Sequence, residues 1–130
     1  MTKDLWLNLP VKDPQKSKAF FKALGIATFN EERENPNMVA MMVGDKPVPV
    51  MLFEENMLSN MMRSELPDTT KTSQMIISFD AGSREEVDAL AEKVKAAGGN
   101  LFAPPSDIQG TMYGCAFADL DGHRWNALYM

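Results

Sequence analysis

Phe117-Ala-Asp-Leu-Asp-Gly-His-Arg-Trp-Asn-Ala-Leu-Tyr-Met130, the last fourteen residues of the chain, read as strand, tight acidic turn, strand and stop. Asp121-Gly122 is the strongest hairpin signal in the sequence, because glycine takes a positive-φ turn position at no steric cost and aspartate tolerates one. With the hairpin centred on Asp121, Cys115 falls opposite Ala127, and Gly114 and Ala116 become cross-strand neighbours on the other face. Asn126 sits in the returning strand between Trp125 and Ala127, where packing alone needs no amide. It is the first site candidate.

Working outward, the preceding residues form a second half that repeats the first. Leu5 to Val11 is a short apolar run, and Asp13-Pro14 then supplies an N-cap and a first-turn proline. Ala19, Phe20, Ala23 and Leu24 share one face, so residues 14 to 24 are predicted to be an amphipathic helix closed by Gly25. A loop rich in Asn, Glu and Pro leads to strands at Met38 to Val43 and Pro47 to Phe53, turned by Gly44-Asp45-Lys46, with a short extra strand near Thr28. In the second half, Gln74 to Asp80 is a strand and Ser83-Arg-Glu-Glu86 is a capping box. The helix it opens runs through Val87, Leu90, Ala91, Val94 and Ala97 to Gly98-Gly99, with Gly99 answering Gly25. Extended segments follow at Leu101 to Phe102, Thr111 to Ala118 and Arg124 to Met130. The order implies two βαβββ modules, about 1–54 and 74–130. The stretch 55–73 between them combines Met57, Leu58, Met61 and Met62 at helical spacing with a polar linker.

Composition excludes several roles. With 130 residues and 45% hydrophobic content, the chain has the length of one domain with a real core. A net charge of −5 and a pI near 4.8 oppose nucleic acid or an anionic membrane as partner, since phosphate binding needs clustered Lys and Arg. No run approaches the ~18 apolar residues of a membrane span, and the N-terminus lacks the pattern of a secretory signal. The single cysteine, Cys115, fits a reducing compartment, so the expected location is cytoplasmic. Cys115 reads as a small buried hydrophobe, since nothing in the sequence supplies the lowered pKa of a nucleophile. His123, the only histidine, reads as a partly exposed residue finishing the hairpin.

Asp119-Leu-Asp-Gly-His-Arg-Trp-Asn-Ala-Leu resembles the D-P-D-G-H/N-x-W/x-E-L ending of the vicinal oxygen chelate superfamily. That superfamily includes glyoxalase I, bleomycin-resistance proteins, fosfomycin-resistance enzymes and extradiol dioxygenases. The resemblance covers Leu5 to Met130 and implies an α+β fold. In it, two βαβββ modules form a half-open mixed-sheet barrel with the helices outside, and two chains pair as a homodimer. It also implies four metal-ligand positions, two per module, the last being a glutamate on the terminal strand. Carried over, those positions are Trp6, Met51, Gln74 and Asn126. None is His, Asp, Glu or Cys, and divalent ions need such donors to offset their dehydration. No metal or other cofactor is therefore expected.

Strand alternation supplies a pocket without a metal. Leu5, Leu7, Leu9 and Val11 should face the helices, leaving Trp6 and Asn8 on the concave side. Met51 and Phe53, then Gln74, Ile76 and Ser78, then Arg124, Asn126 and Leu128 share that side. The mixture is apolar with a few convergent polar groups, as small-molecule sites are. For Asn8 and Gln74, a solvated strand edge explains the residue equally well. The methionine-rich segment reads either as an adaptable pocket rim or as a helix packing on its own sheet or a partner subunit. The expected function is a metal-independent small-molecule-binding relative of glyoxalase and bleomycin-resistance proteins, holding an aromatic or amphipathic ligand through Trp6, Asn8, Met51, Phe53, Gln74, Ile76, Arg124 and Asn126. The alternative is a glyoxalase-, lyase- or dioxygenase-type enzyme whose metal site uses other residues. A third class is a regulatory dimer whose concave side its own side chains fill.

Overall fold

Asp13 caps the first helix in the computed structural model, which describes residues 1–130. Its carboxylate accepts from the backbone N–H groups of Gln15 and Lys16 at 3.1 and 3.2 Å, satisfying two donors that a helix start leaves free. Helix α1 (Pro14–Leu24) ends at Gly25, whose φ of 73° is the left-handed conformation that glycine adopts without strain. The chain divides into two compact units, Met1–Pro67 and Asp68–Met130.

The first unit continues from β1 (Leu7–Val11) and α1 through β2 (Ala27–Phe29), a 3-10 turn (Glu31–Arg33), β3 (Met38–Val43), β4 (Val48–Glu54) and α2 (Glu55–Met62). Its sheet has the order β1-β4-β3-β2, with β1 parallel to β4 and the other pairs antiparallel. Leu9, Val11, Val39, Met41, Val50 and Leu52 are buried on one face together with Phe20, Phe21 and Leu24 of α1. Each such side chain contributes roughly 1.5–3 kcal/mol when fully removed from water. The second unit runs β5 (Ile76–Asp80), α3 (Arg84–Ala96), β6 (Asn100–Ile108), β7 (Met112–Ala118) and β8 (Arg124–Tyr129). Its sheet order is β5-β8-β7-β6, again with one parallel pair, β5 to β8. Trp125, Ala127, Cys115 and Phe117 are buried on the α3 side with Val87, Leu90, Ala91 and Val94, and Phe79 packs edge-on against both Phe117 and Trp125 at 6.4 Å. The fold is α+β, two βαβββ modules with mixed sheets, as the sequence implies. No helix is long and apolar enough to cross a membrane.

Several details differ from expectation, each for a physical reason. Strand β1 starts at Leu7, so Leu5 does not face a helix and is 69% exposed. Strand β5 starts at Ile76, and Gln74 lies in a bend before it. Helix α3 turns out through Gly98, with φ of 93°, so Gly98 and not Gly99 answers Gly25. Strand β6 is nine residues long and runs through Pro104-Pro105, which the short reading of Leu101 to Phe102 missed. It is an edge strand with two register shifts, the setting where proline is tolerated because one side has no ladder to donate to. The polar stretch after Pro67 is tied down, with Thr69 Oγ1 donating to the Asp121 carbonyl at 2.5 Å and Ser73 Oγ to that of Gly122 at 3.4 Å.

The terminal hairpin keeps the expected register, Cys115 opposite Ala127 and Ala116 opposite Asn126, but its turn is longer. The Gly122 N–H donates to the Asp119 carbonyl at 3.1 Å and the Asp119 N–H to that of His123 at 3.0 Å. Leu120-Asp121-Gly122 thus forms a three-residue loop in which only Gly122, at φ 87°, is left-handed. Asp119 organises it. Its Oδ1 accepts from the backbone N–H groups of Asp121 and His123, and its Oδ2 from the Trp125 indole, all at 3.0 Å.

Removing this carboxylate leaves the buried Trp125 N–H without an acceptor. Asp119→Ala should lower unfolding free energy in urea by about 1–3 kcal/mol for that donor alone, and an unchanged midpoint would refute the role. Burial raises the Asp119 carboxyl above its ordinary value, opposed by the nearby His123 and the Trp125 N–H. A raised folded value means the folded state holds the proton more tightly. The Asp119 contribution is then greatest below the ordinary value and falls as pH rises through the raised one. The stability difference between the protein and Asp119→Asn should fall with pH across that acid window.

Candidate functional site

Each sheet has one face against α1 or α3 and one face away from it, and the candidate residues fall on the second. In the first unit, Met51 of β4 pairs with Asn8 on β1 and with Ala40 on β3. Trp6 directly precedes β1 and is 58% exposed. A cavity of about 770 Å³ is lined by Trp6, Asn8, Met51 and Phe53, four of the expected residues, together with Glu32, Arg33, Met38, Pro49 and Met61. Met51 and Phe53 are less open than expected. Leu58 of α2 buries itself against them and Ala40, with Met38 packed alongside. The methionine-rich helix therefore packs on its own sheet, while Met61 also reaches the cavity rim. Glu32 and Arg33 were missed because a short 3-10 turn leaves no periodic signal.

In the second unit, Asn126 of β8 pairs with Ser78 on β5 and with Ala116 on β7, and Arg124 pairs with Ile76 and Ala118. Ile76, Arg124 and Asn126 are brought together on one face of the sheet. Gln74 is not, since the bend places it ahead of the strand, exposed. Gly114 does not leave the room expected of it either. A Cβ there would meet the Ala127 carbonyl oxygen at 2.6 Å and Leu128 Cδ2 at 2.7 Å, so Leu128 already fills the space. Beside Asn126 the small neighbours are Ala116 on β7 and Ser78 on β5. The guanidinium of Arg124 lies over the Phe102 ring at 4.4 Å, and no ion pair involves it.

The Oδ1 of Asn126 is shut off from water and has no hydrogen-bond partner. One other side-chain oxygen shares that condition, Glu34 Oε1, but the second oxygen of that carboxylate accepts from Lys18 at 2.9 Å. Cys115 is buried, and burial pushes its thiol up, away from the thiolate a nucleophile needs. On the outer side of the second unit, Tyr113 donates to Asp88 at 2.5 Å, and Arg84 stacks on its ring while pairing with Asp107 at 2.6 Å. These contacts fasten α3 to β6 and β7.

The glyoxalase/bleomycin resistance protein/dioxygenase superfamily matches residues 5–127. The chain belongs to this superfamily. A hypothetical protein from S. aureus is 38% identical over 100% of this chain and 95% of its own, with a TM-score of 0.87. A glyoxalase/bleomycin resistance protein/dioxygenase family enzyme from Burkholderia phytofirmans is 18% identical over 98% of both chains, with a TM-score of 0.83. The fosfomycin resistance protein FosX from Listeria monocytogenes is 22% identical over 100% of this chain and 94% of its own, with a TM-score of 0.70. The last two share the fold. No curated protein matches the chain.

A glyoxalase-superfamily metal does not fit the donors present. The carried-over positions offer an indole, a thioether and two neutral amides. The repeat within the structure corrects one of them, since Trp6 stands two residues before Asn8, the partner of Met51, as Ile76 stands two before Ser78, the partner of Asn126. The internal counterpart of Trp6 is thus Ile76, which offers no donor at all. No three His, Cys, Asp or Glu side chains come together as a metal-holding group.

Proposed function

We propose that the chain is a metal-independent small-molecule-binding protein of the glyoxalase superfamily, a single two-module domain over residues 1–130. Each module by itself offers an open sheet face for an aromatic or amphipathic ligand, the first through Trp6, Asn8, Met51 and Phe53, the second through Ile76, Arg124 and Asn126, with Gln74 at the margin of the second. The chain works as a cytoplasmic homodimer. The observation that carries this reading is Asn126. A buried amide oxygen without a partner costs about 1–3 kcal/mol, so folding gains nothing from it. A ligand N–H or O–H that displaces the atoms shielding the oxygen would satisfy it, and the amide imports no charge into an apolar surface. The aromatic and methionine-rich lining of the first-module cavity supports an apolar ligand body.

Melting separates this reading from a metalloenzyme. A ligand ion present at about 100 times its Kd stabilises a protein by roughly 2.7 kcal/mol. Melting in chelator and in Ni, Zn or Mn should coincide, and elemental analysis should give far less than one metal per chain. One equivalent of metal, or melting that rises at low metal concentration, would restore the enzyme alternative.

Asn126→Leu should raise the melting temperature or leave it unchanged, while weakening binding of any aromatic compound found by thermal-shift screening by about 1–3 kcal/mol. A lower melting temperature with binding intact would make Asn126 structural.

The exposed Met57, Met61 and Met62 of α2 and the exposed Met75 and Ile76 at the start of the edge strand β5 support the pairing of two chains. Light scattering at micromolar concentration should give about twice the 14.5 kDa chain mass. A persistent monomer would sink the dimer.

A further inference from the structure

Arg124 is a cation without an ion pair on an inner strand of the second sheet. It is only partly exposed, rises from the middle layer of the second sheet and reaches over Phe102 without any carboxylate partner. Lys18 is held by Glu31 and Glu34, Arg84 by Asp107 and Lys95 by Glu92, whereas Arg124 has the Phe102 ring and no carboxylate. The ring of Phe102 supports one face of the guanidinium, which leaves the in-plane N–H groups as donors. Two residues along the same strand, on the same face, lies the unpaired acceptor Oδ1 of Asn126. The two side chains start about 7 Å apart, twice the rise of a strand residue. Ala116 lies beside Asn126 and Ala118 beside Arg124, both small, so the β7 surface between them is low.

Taken with the ligand-binding reading above, on which it rests, we infer that the second module selects an aromatic acid carrying a hydrogen-bond donor at its far end. The anion pairs with Arg124 on its Phe102 support, and the donor reaches Asn126 Oδ1. A planar N–H fork recognises a carboxylate through two parallel hydrogen bonds, which a neutral ester cannot reproduce. The net charge of −5 repels anions at long range, so selection rests on this one local pair and not on steering.

The test uses 4-hydroxyphenylacetate, its methyl ester, which lacks the anion, and 4-methoxyphenylacetate, which lacks the donor, titrated by calorimetry at pH 7 against the intact protein. The hydroxy acid should bind about tenfold or more tighter than either analogue, as expected when a charged or a buried hydrogen bond is lost. Arg124→Gln should abolish the preference for acid over ester, and Asn126→Leu the preference for hydroxy over methoxy, each with melting no lower than that of the parent. Equal affinity for acid and ester would overturn the inference while leaving ligand binding intact. If Arg33→Gln removes the acid preference and Arg124→Gln keeps it, the anion belongs to the first-module cavity and the inference fails. If neither the acids nor the ester bind at millimolar concentration, the inference fails, while the ligand-binding reading stands or falls on the thermal-shift screen.

Discussion

The buried carboxylate of Asp119 fixes the register on which the second module's open face depends. Its three accepted hydrogen bonds join the end of β7, the turn and the first buried aromatic of β8 into one unit. A slip of one residue along β8 would exchange Trp125 and Ala127 for Arg124 and Asn126 against α3, putting a guanidinium and an amide into the core. Tethering the indole of Trp125 to Asp119 excludes that alternative before any packing is counted. Thr69 and Ser73 add a second clamp by bonding the turn carbonyls from outside. The costly group is thus the charge on Asp119, and its return is a strand whose faces cannot be interchanged.

Most of the fold was legible because the chain marks its elements with local chemistry. Asp13-Pro14, Gly25 and the Ser83 capping box each satisfy a specific set of backbone groups, and such signals survive whatever the tertiary context. The register of the last hairpin was legible once it was centred on Asp121, since that centre alone sets Cys115 opposite Ala127, whereas a two-residue loop at Asp121-Gly122 would set it opposite Leu128. Strand β6 was not, because Pro104-Pro105 contradicts a strand unless one knows that it lies at a sheet edge, and edge position is a tertiary fact. The burial of Asp119 and Asp121 was also hidden, as an acidic turn reads as solvated until the hydrogen-bond donors around it are known.

For the candidate site, alternation along strands placed Asn8, Met51, Ile76, Arg124 and Asn126 on the correct faces, since period-two geometry needs no tertiary information. Counting from loops was weaker. Gln74 was reached by counting back from Phe79-Asp80, and that count ignores where the strand begins. Gly114 failed differently: a missing side chain was taken for open space, whereas Leu128 occupies it. Space is a property of neighbours and cannot be read from a residue's own size.

The two modules share one topology but finish their open faces in different ways. In the first, Met51 stands between Asn8 and Ala40, and α2 follows directly from β4 to press Leu58 onto that face, so an apolar residue suits the position. In the second, the equivalent position between Ser78 and Ala116 is Asn126, and α3 packs on the opposite face. The same backbone position therefore carries a thioether where a helix of the module packs on it and an amide where the module's helix packs on the other face. Were Asn126 a tolerated accident of packing, an apolar residue would serve that strand better on energetic grounds, since the partnerless oxygen costs stability that Met51 in the sister module does not. The amide thus stands on the face that α3 leaves free, its oxygen closed off from water, and the proposed ligand would supply the partner it lacks.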